Sequence, residues 1–229
     1  MKKYSYIFID LDDTIFDFKK GESAALKNTM NDIGYNIGND EILMFSELNE
    51  KYFQMFSNGE LTRDEFHDMR FKNFFQKLHI NSDPNKSDKK YMDELSKACE
   101  WVDGAYEMIV RLHKEYKLYI ASNGMYEIQV TRLKKANILN MFDGVYVSSK
   151  IGFNKPAKEF FLRAMNDIGD SDKSKYLMIG DREESDIIGG INAGIDTIYF
   201  NRKNKVPTTS PTYIVKSLDE ITLNKLENK

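Results

Sequence analysis

Three aspartates stand together where a short apolar run near the start of the chain ends. The run Tyr4-Ser-Tyr-Ile-Phe-Ile9 is followed by Asp10, Asp12 and Asp13. Ionised carboxylates this close repel one another, so at least one should have a raised pKa unless a cation lies among them. Mg²⁺ suits that position because it takes oxygen ligands from one or two carboxylates. Asp-rich turns after strands are also common, so the three acids alone do not decide between a metal site and a plain turn.

More polar residues follow later apolar runs that are typical of strands. These residues are Ser122-Asn123-Gly124, Lys155-Pro156, Asp181 and Asp186. The carboxyl ends of parallel strands share one edge of a sheet, and ligands bind at that edge. We therefore predict that these residues converge with Asp10 and Asp12 on a single site.

The predicted group has the components of a phosphoryl-transfer site. A carboxylate nucleophile such as Asp10 can accept a phosphoryl group and form an aspartyl-phosphate. Mg²⁺ held by Asp10, Asp181 and a backbone carbonyl would neutralise the charge between them. Ser122, with the adjacent amides of Asn123-Gly124, and Lys155 would then hold the phosphoryl oxygens.

An alternation of helix and strand patterns after Asp103 predicts how these residues are positioned. Strand patterns occur at 118–121, 144–148, 176–179 and 197–200. Alternation with helices of ordinary length indicates a parallel sheet with right-handed crossovers. Together with the first strand, we expect an α/β, Rossmann-like core of about five strands with helices on both faces.

The segment from Asp17 to Trp101 has helical periodicity and little strand signal, and a connection of this length must be a subdomain. Its predicted helices are Glu22–Ile33, Glu41–Phe56, Arg63–Leu78 and Lys89–Cys99, with Pro84 in the last break. The expected domains are an α/β core, 1–16 plus 102–229, and an inserted four-helix cap, 17–101. Aromatic residues along the second and third helices are predicted to form the core of the cap.

The composition favours a soluble globular protein. A net charge of -3 and scattered basic residues argue against binding a nucleic acid polymer. No stretch approaches the roughly 18 apolar residues of a membrane span. Cys99 is the sole cysteine, which excludes an internal disulfide and favours a reducing, cytoplasmic setting. We expect either a monomer or a homodimer.

Four segments of the chain, taken in order, resemble the motifs of the haloacid dehalogenase-like (HAD) phosphohydrolase superfamily. They are Asp10-Leu-Asp12-Asp-Thr14, Ser122-Asn-Gly124, Lys155-Pro156, and Gly180-Asp181 with Asp186. The first, D-x-D-x-T after an apolar strand, is fairly specific, and the ordered set of four is much more so. The helical insert is similar to the superfamily's first class of cap, which covers the phosphate site and selects substrates.

The resemblance implies a role for each motif residue. Asp10 is the implied nucleophile, and Asp12 is the general acid/base that protonates the leaving oxygen and later activates water. Thr14 stabilises the turn and, with Ser122, Asn123, Gly124 and Lys155, belongs to the implied phosphate-binding set. The implied Mg²⁺ ligands are Asp10, the Asp12 carbonyl and Asp181, with Asp186 supporting them through water or through Lys155. Asp13 is a bystander in this scheme.

A narrower match, to the pyrimidine nucleoside 5′-monophosphatase branch, extends over nearly the whole chain. It is carried by Asp12-Asp-Thr-Ile-Phe-Asp-Phe18, Gly59-Glu-Leu-Thr-Arg-Asp-Glu65, Arg70-Phe71, Asp103-Gly-Ala105, Gly152-Phe-Asn-Lys-Pro156, Ser185-Asp-Ile-Ile-Gly-Gly190 and Ala193 through Asn201. Members of that branch are cytoplasmic phosphatases that act on nucleoside monophosphates. The implied partner is thus a small phosphorylated metabolite.

Three residues depart from the branch or lie outside the four motifs. Arg182 stands where the branch usually has a small polar residue, and we expect its side chain to point to solvent, an effect on the electrostatics of the site being the alternative. Tyr199 stands where Trp is frequent. Arg70 is the cap residue most suited to a substrate contact, because an arginine amid aromatics needs a partner. An ion pair with Asp64 or Glu47 explains Arg70 almost as well.

Other functions of the same residues remain open at this point. The nearest are a phosphatase for sugar phosphates, a phosphomutase and a dehalogenase, although dehalogenation needs neither Asp12 nor a metal. A signalling module that is phosphorylated on Asp beside Mg²⁺ is an alternative from a different class. The long helical insert argues against that module, since receivers carry no cap.

Overall fold

The computed structural model describes residues 4–227, and its larger part is built on a parallel sheet. The strands are β1 (Tyr6–Ile9), β2 (Lys117–Ser122), β3 (Gly144–Val147), β4 (Tyr176–Gly180), β5 (Asp196–Phe200) and β6 (Tyr213–Val215). Their order is β3-β2-β1-β4-β5-β6, and every neighbouring pair is parallel. The predicted α/β class is confirmed. The predicted number of about five strands is too low, because β6 was missed.

Helices separate the strands and follow the last of them. In chain order they are α1 (Phe18–Asp32), α2 (Asn39–Ser57), α3 (Arg63–Leu78), α4 (Pro84–Leu95), α5 (Ala105–His113), α6 (Tyr126–Lys135), α7 (Ser148–Ile151), α8 (Lys158–Ile168), α9 (Ile188–Ala193) and α10 (Leu223–Glu227). One π-helical turn, Glu183–Ile187, precedes α9. Short 3₁₀ turns lie at Leu139–Met141, Lys173–Lys175 and Leu218–Glu220.

The prediction for the fourth inserted helix is wrong at both ends. The helix α4 begins at Pro84, inside the predicted break, and ends at Leu95. The side chain of Asp83 caps its N-terminus by accepting hydrogen bonds from the backbone N–H groups of Asn85 (2.9 Å) and Lys86 (3.2 Å). Proline at the first helical position costs no hydrogen bond, so Pro84 starts this helix rather than breaking it.

The chain divides into two compact units. One contains the residues up to Asp17 and those from Cys99 onward, and the other runs from Phe18 to Ala98. Two chain segments of the first unit, 15–17 and 100–102, lie side by side at its boundaries. Asp17 N–H donates to the Glu100 carbonyl (2.8 Å), and Val102 N–H donates to the Ile15 carbonyl (3.0 Å).

Alternate residues of β1 face opposite sides of the sheet, as the strand period of two requires. Ile7 and Ile9 belong to one buried cluster, which includes Met108 and Leu112 of α5. Phe8 belongs to the other, where α8 contributes residues such as Phe161. Helices therefore cover both faces, and β1 is buried as a central strand of a parallel sheet should be.

The unit from Phe18 to Ala98 has its own aromatic core. The ring of Phe45 lies 4.9 Å from that of Phe71, 5.2 Å from Phe74 and 5.3 Å from Tyr91, measured between centroids. All four residues are buried. The prediction that the aromatic residues of this insert pack together is confirmed. Within residues 4–227, no helix combines the length and the apolar character needed to cross a membrane.

The topology sets the position of the candidate site. The chain adds β2 and β3 on one side of β1, then crosses over and adds β4, β5 and β6 on the other. Open parallel sheets bind ligands at the carboxyl ends of strands beside such a reversal of direction. Here the residues that follow β1, β2 and β4 are brought to one edge.

Candidate active site

Asp10 follows β1 directly and extends its pairing with β4. The backbone N–H of Asp10 donates to the Ile179 carbonyl (2.9 Å). The next residues form a tight turn, in which Asp13 N–H donates to the Phe16 carbonyl (2.7 Å) and the N–H groups of Ile15 and Phe16 both donate to the Leu11 carbonyl. Asp13 takes a left-handed backbone conformation with a φ of 64°, which Asp tolerates better than most residues.

Lys155 is in contact with Asp10 and is almost completely buried. Its Nζ atom is 2.7 Å from Asp10 Oδ1, 2.6 Å from Asp186 Oδ1 and 2.5 Å from the Ala121 carbonyl oxygen. An ammonium group has three protons, so all three are directed at the protein. The predicted contact between Lys155 and a phosphoryl oxygen would require one of these bonds to be given up.

Asn123 fixes the backbone that carries Lys155. Its Nδ2 donates to the Lys155 carbonyl and its Oδ1 accepts from the Lys155 N–H, both at 2.8 Å. This reciprocal pair joins the loop after β2 to the loop that supplies the lysine. In the structure, the Asn123 side chain therefore holds the backbone of Lys155 in position.

Ser122 ends β2 and is buried. Its Oγ accepts hydrogen bonds from the Gly124 N–H (3.1 Å) and from the side chain of Gln129 (3.0 Å). Gly124 has no room for a side chain, because an added Cβ would lie 2.5 Å from Gln129 Nε2.

Asp186 comes into the site from the π-helical turn after β4. Its Oδ2 accepts a hydrogen bond from the Arg182 N–H (3.0 Å), and its carboxylate fills the space beside Gly180, where an added Cβ would clash with the same oxygen. Single π-helical turns are frequent at functional sites. This turn directs Asp186 onto Lys155, which matches the predicted support through Lys155.

The carboxylates of Asp10, Asp181 and Asp186 form one cluster, with a ligand oxygen from each within 4.8 Å of the others. Burial raises the pKa of Asp10 well above its ordinary value, and the charges of Asp186 and Asp181 add to that effect while Lys155 opposes it. Burial, with help from Asp186 and Asp13, raises the pKa of Asp181 to about 7. These three carboxylates carry more negative charge than the single ammonium group of Lys155 can balance.

This cluster fits a hard divalent cation. Its donors are carboxylate oxygens, which Mg²⁺ prefers. A cation among them would favour the ionised form of Asp10 and Asp181, whose pKa values burial and neighbouring carboxylates raise. Lys155 does not supply this further positive charge, because its ammonium group is already paired with Asp10 and Asp186. These two carboxylates raise the pKa of Lys155, although burial alone would lower it.

Asp12 is held by two residues that the sequence prediction missed. Its Oδ1 is 2.5 Å from Arg132 Nη1, and its Oδ2 is 2.8 Å from Gln129 Nε2. The Asp12 side chain keeps 30% of its surface exposed, whereas that of Arg132 keeps 1%. The available signal was the spacing of Gln129 and Arg132, three residues apart on the helix that follows the second motif.

The remaining residues of the first motif have other partners. Thr14 is fully buried, and its Oγ1 has no hydrogen-bond partner within residues 4–227, so backbone bonds rather than its hydroxyl hold the turn. Asp13 is paired with Arg202, whose Nη2 lies 2.8 Å from its Oδ1. Asp13 thus ties the turn to the loop after β5.

Arg182 is half-buried, and its charge lowers the pKa of Asp181 against the other effects. Its half-burial and this effect favour the electrostatic alternative over a side chain that simply points to solvent. Tyr199 is buried on β5, and burial raises the pKa of its hydroxyl.

Arg70 lies inside the unit from Phe18 to Ala98. Its Nε is 2.6 Å from Asp88 Oδ1, and its Nη1 is 3.1 Å from Asn49 Oδ1. The guanidinium lies between the rings of Phe66 and Tyr91, 4.9 and 4.7 Å from their centroids. An ion pair was one of the two predicted explanations, but its partner is Asp88 on α4 rather than Asp64 or Glu47. These contacts occupy Arg70, and we do not include it in the site.

A known protein family contains this arrangement of motifs. The model of the family described as haloacid dehalogenase-like hydrolases matches residues 6–200, which span all the motif residues. The chain belongs to the HAD-like hydrolases. The family predicted from the four motifs is therefore confirmed.

Several relatives resemble this HAD-like hydrolase over nearly its whole length. YfnB of Bacillus subtilis, a HAD-family protein, is 33% identical over 96% of the chain and 95% of its own length. Its crystal structure bound to magnesium matches the chain with a TM-score of 0.91 over the full length of both. The pyrimidine 5′-nucleotidase YjjG of Escherichia coli is 28% identical, covering 96% of each chain. The pyrimidine 5′-nucleotidase PynA of Streptococcus pneumoniae is 29% identical over 95% of this chain and 93% of its own.

Metal binding by the HAD-like hydrolase should strengthen as the pH rises through neutrality. Asp181 has a pKa of about 7, and a cation binds the ionised carboxylate, so protons compete with the metal below that value. We expect the apparent affinity for Mg²⁺ to fall by about tenfold per pH unit below pH 7 as Asp181 becomes protonated. Calorimetric titration from about pH 5.5 to 8.5 measures this, and Asp181→Asn should have a smaller slope. An affinity that stays constant with pH would contradict the account.

Arg70→Met should destabilise the hydrolase without affecting its substrate affinity. The change leaves Asp88 buried without its guanidinium partner, which typically costs about 3–5 kcal/mol. Urea unfolding, with hydrogen exchange to localise the loss to residues 18–98, measures the effect. Lys72→Met, at an exposed position of the same helix, should change stability by less than about 0.5 kcal/mol. A raised KM at unchanged stability would support the predicted substrate contact instead.

Proposed function

We propose that this hydrolase is a Mg²⁺-dependent phosphomonoesterase that acts through an aspartyl-phosphate on Asp10. The observation that carries the proposal is the buried ion pair of Asp10 with Lys155 beside two further acids, with the partly exposed Asp12 two residues on. Such a site combines a fixed nucleophile, a place for a cation and a second carboxylate that substrate can reach.

The proposed reaction consists of two displacements at phosphorus. Lys155 occupies Oδ1 of Asp10, so Oδ2 is the oxygen that attacks. As the bond from Oδ2 to phosphorus forms, the ester P–O bond breaks and Asp12 gives a proton to the departing alcohol oxygen. Water then attacks the phosphorus of the aspartyl-phosphate, the bond from phosphorus to Oδ2 breaks, and inorganic phosphate leaves with Asp10 regenerated. Asp12 takes a proton from that water, which replaces the proton that it gave to the alcohol, so it begins each cycle as the carboxylic acid.

Other residues of the chain orient the phosphoryl group and balance its charge. Both lone pairs of Ser122 Oγ accept hydrogen bonds from within the protein, so its hydrogen remains to be donated to a phosphoryl oxygen. Mg²⁺, which Asp10, Asp181 and the Asp12 carbonyl would hold, supplies neutralising charge at the phosphate. Asp186 positions Lys155.

Nucleoside 5′-monophosphates with pyrimidine bases are the proposed substrates. Support comes from the two relatives named pyrimidine 5′-nucleotidases, which align with at least 95% of the chain. In this proposal, residues 18–98 act as the cap that selects the substrate, and the enzyme works in the cytoplasm. A phosphatase for sugar phosphates would use the same core residues, so both classes of substrate need to be assayed.

Asp10→Asn should abolish phosphate release while the protein stays folded. Phosphate release from nucleoside monophosphates and sugar phosphates, with and without Mg²⁺, measures the activity, and circular dichroism checks the fold. We expect wild-type activity to require Mg²⁺ and to be highest on pyrimidine nucleotides. Asp12→Ala should lower the turnover of nucleotides by about 10²–10⁴-fold.

Asp13→Asn is the matched control on the same turn. Asn also tolerates the left-handed backbone of that position, so this variant should keep most of its activity. Substantial turnover by Asp10→Asn would rule out the proposed nucleophile. A preference for sugar phosphates would retain the mechanism and correct the substrate.

A further inference from the structure

A closed set of hydrogen bonds connects Asp12 to one face of α6. Arg132 Nη1 binds Asp12 Oδ1 at 2.5 Å, Gln129 Nε2 binds Asp12 Oδ2 at 2.8 Å, and Arg132 Nη1 also binds Gln129 Oε1 at 3.0 Å. Residues three apart on a helix lie on the same side, so one helix presents both donors to the two oxygens of one carboxylate. We call Gln129 and Arg132 the carboxylate clamp.

The clamp is rigidly supported. Both of its residues are buried, at 2% and 1% exposure. The guanidinium of Arg132 lies 5.1 Å from the ring centroid of Phe16, which belongs to the turn that carries Asp12. Gln129 is packed against Gly124, where no side chain would fit. Burial of both side chains leaves them little room to adopt other conformations.

Gln129 also determines which way the hydroxyl of Ser122 points. The two protons of its Nε2 go to different acceptors, one to Asp12 Oδ2 and one to Ser122 Oγ. With the Gly124 N–H as a second donor, Ser122 Oγ has both lone pairs occupied and must donate its own hydrogen elsewhere. One amide group thus orients the carboxylate and the phosphate-binding hydroxyl together.

We propose that Gln129 and Arg132 are positioning residues. Arg132 holds Asp12 toward the leaving oxygen for proton transfer, and Gln129 aligns both Asp12 and the phosphate-binding hydroxyl of Ser122. The inference rests on the proposed phosphomonoesterase function. It predicts that the two clamp residues differ in what they affect. Arg132 serves proton transfer alone, whereas Gln129 also serves phosphate binding.

Leaving groups of different basicity separate this role from a merely structural one. An alkoxide, such as the 5′-oxygen of a nucleoside, needs a proton from Asp12 as it departs, and p-nitrophenolate does not. The ratio kcat/KM covers the steps up to departure of that group. Arg132→Met should therefore lower kcat/KM at least about tenfold more for a nucleoside 5′-monophosphate than for p-nitrophenyl phosphate. Inhibition by inorganic phosphate should be unchanged, and Arg132→Lys should recover part of the loss.

Gln129→Met should produce the same leaving-group effect and, in addition, weaken inhibition by inorganic phosphate about threefold or more, because Ser122 is no longer oriented. In an Asp12→Ala background, Arg132→Met should change the residual hydrolysis of the nucleoside 5′-monophosphate by less than about twofold, since its target is absent. Arg111→Met is the matched control: Arg111 bonds the carbonyls of Leu218 and Ile221, and its removal should affect both substrates equally.

Two results would contradict the proposed role of the clamp. One is an equal loss of kcat/KM for both substrates in Arg132→Met, and the other is an undiminished effect of Arg132→Met on nucleotide hydrolysis when Asp12 is absent. Failure of the proposed function has a different signature. Wild-type enzyme that hydrolyses p-nitrophenyl phosphate but no nucleotide corrects the substrate, and the clamp is then judged with glycerol phosphate or a sugar phosphate as the alkyl ester. Wild-type enzyme that hydrolyses no phosphate ester contradicts both proposals.

Discussion

The site depends on the buried ammonium group of Lys155. It is bonded to Asp10 after β1, to Asp186 in the turn beyond β4, and to the Ala121 carbonyl near the end of β2, and so it joins three strands of the sheet. A buried charge is tolerated only when its partners are in place, and here the partners are the chemical groups of the site. The fold and the chemistry therefore depend on the same contacts. The excess negative charge that remains suits a bound cation.

The two carboxylates of the first motif are supported in different ways. Asp10 is buried, and its Oδ1 is paired with the ammonium group of Lys155. Asp12 is partly exposed, and both of its oxygens have donors from α6. These surroundings suit a fixed nucleophile and a carboxylate that meets substrate and water. Asp13, the third acid of the turn, is paired with Arg202 in the loop after β5.

Sequence reasoning found the fold and the residues at the strand ends because polar residues that interrupt buried apolar runs are conspicuous. It missed β6, which has only three residues and follows a polar, turn-rich segment. It also missed Gln129 and Arg132, since a polar pair on a helix normally faces solvent, and only the packing of α6 against the turn at Phe16 buries them. The partner of Arg70 was assigned to α2 or α3, whereas tertiary packing supplies Asp88 from α4.

The stereochemistry at phosphorus tests the central claim, transfer of the phosphoryl group through Asp10, most directly. A nucleoside 5′-thiophosphate made chiral with oxygen isotopes can be hydrolysed by the wild-type enzyme in water of the third isotope, and the configuration of the released thiophosphate determined. Two successive in-line displacements, first by Asp10 and then by water, predict net retention of configuration. Net inversion would mean that water attacks the substrate directly, and it would contradict the covalent role assigned to Asp10.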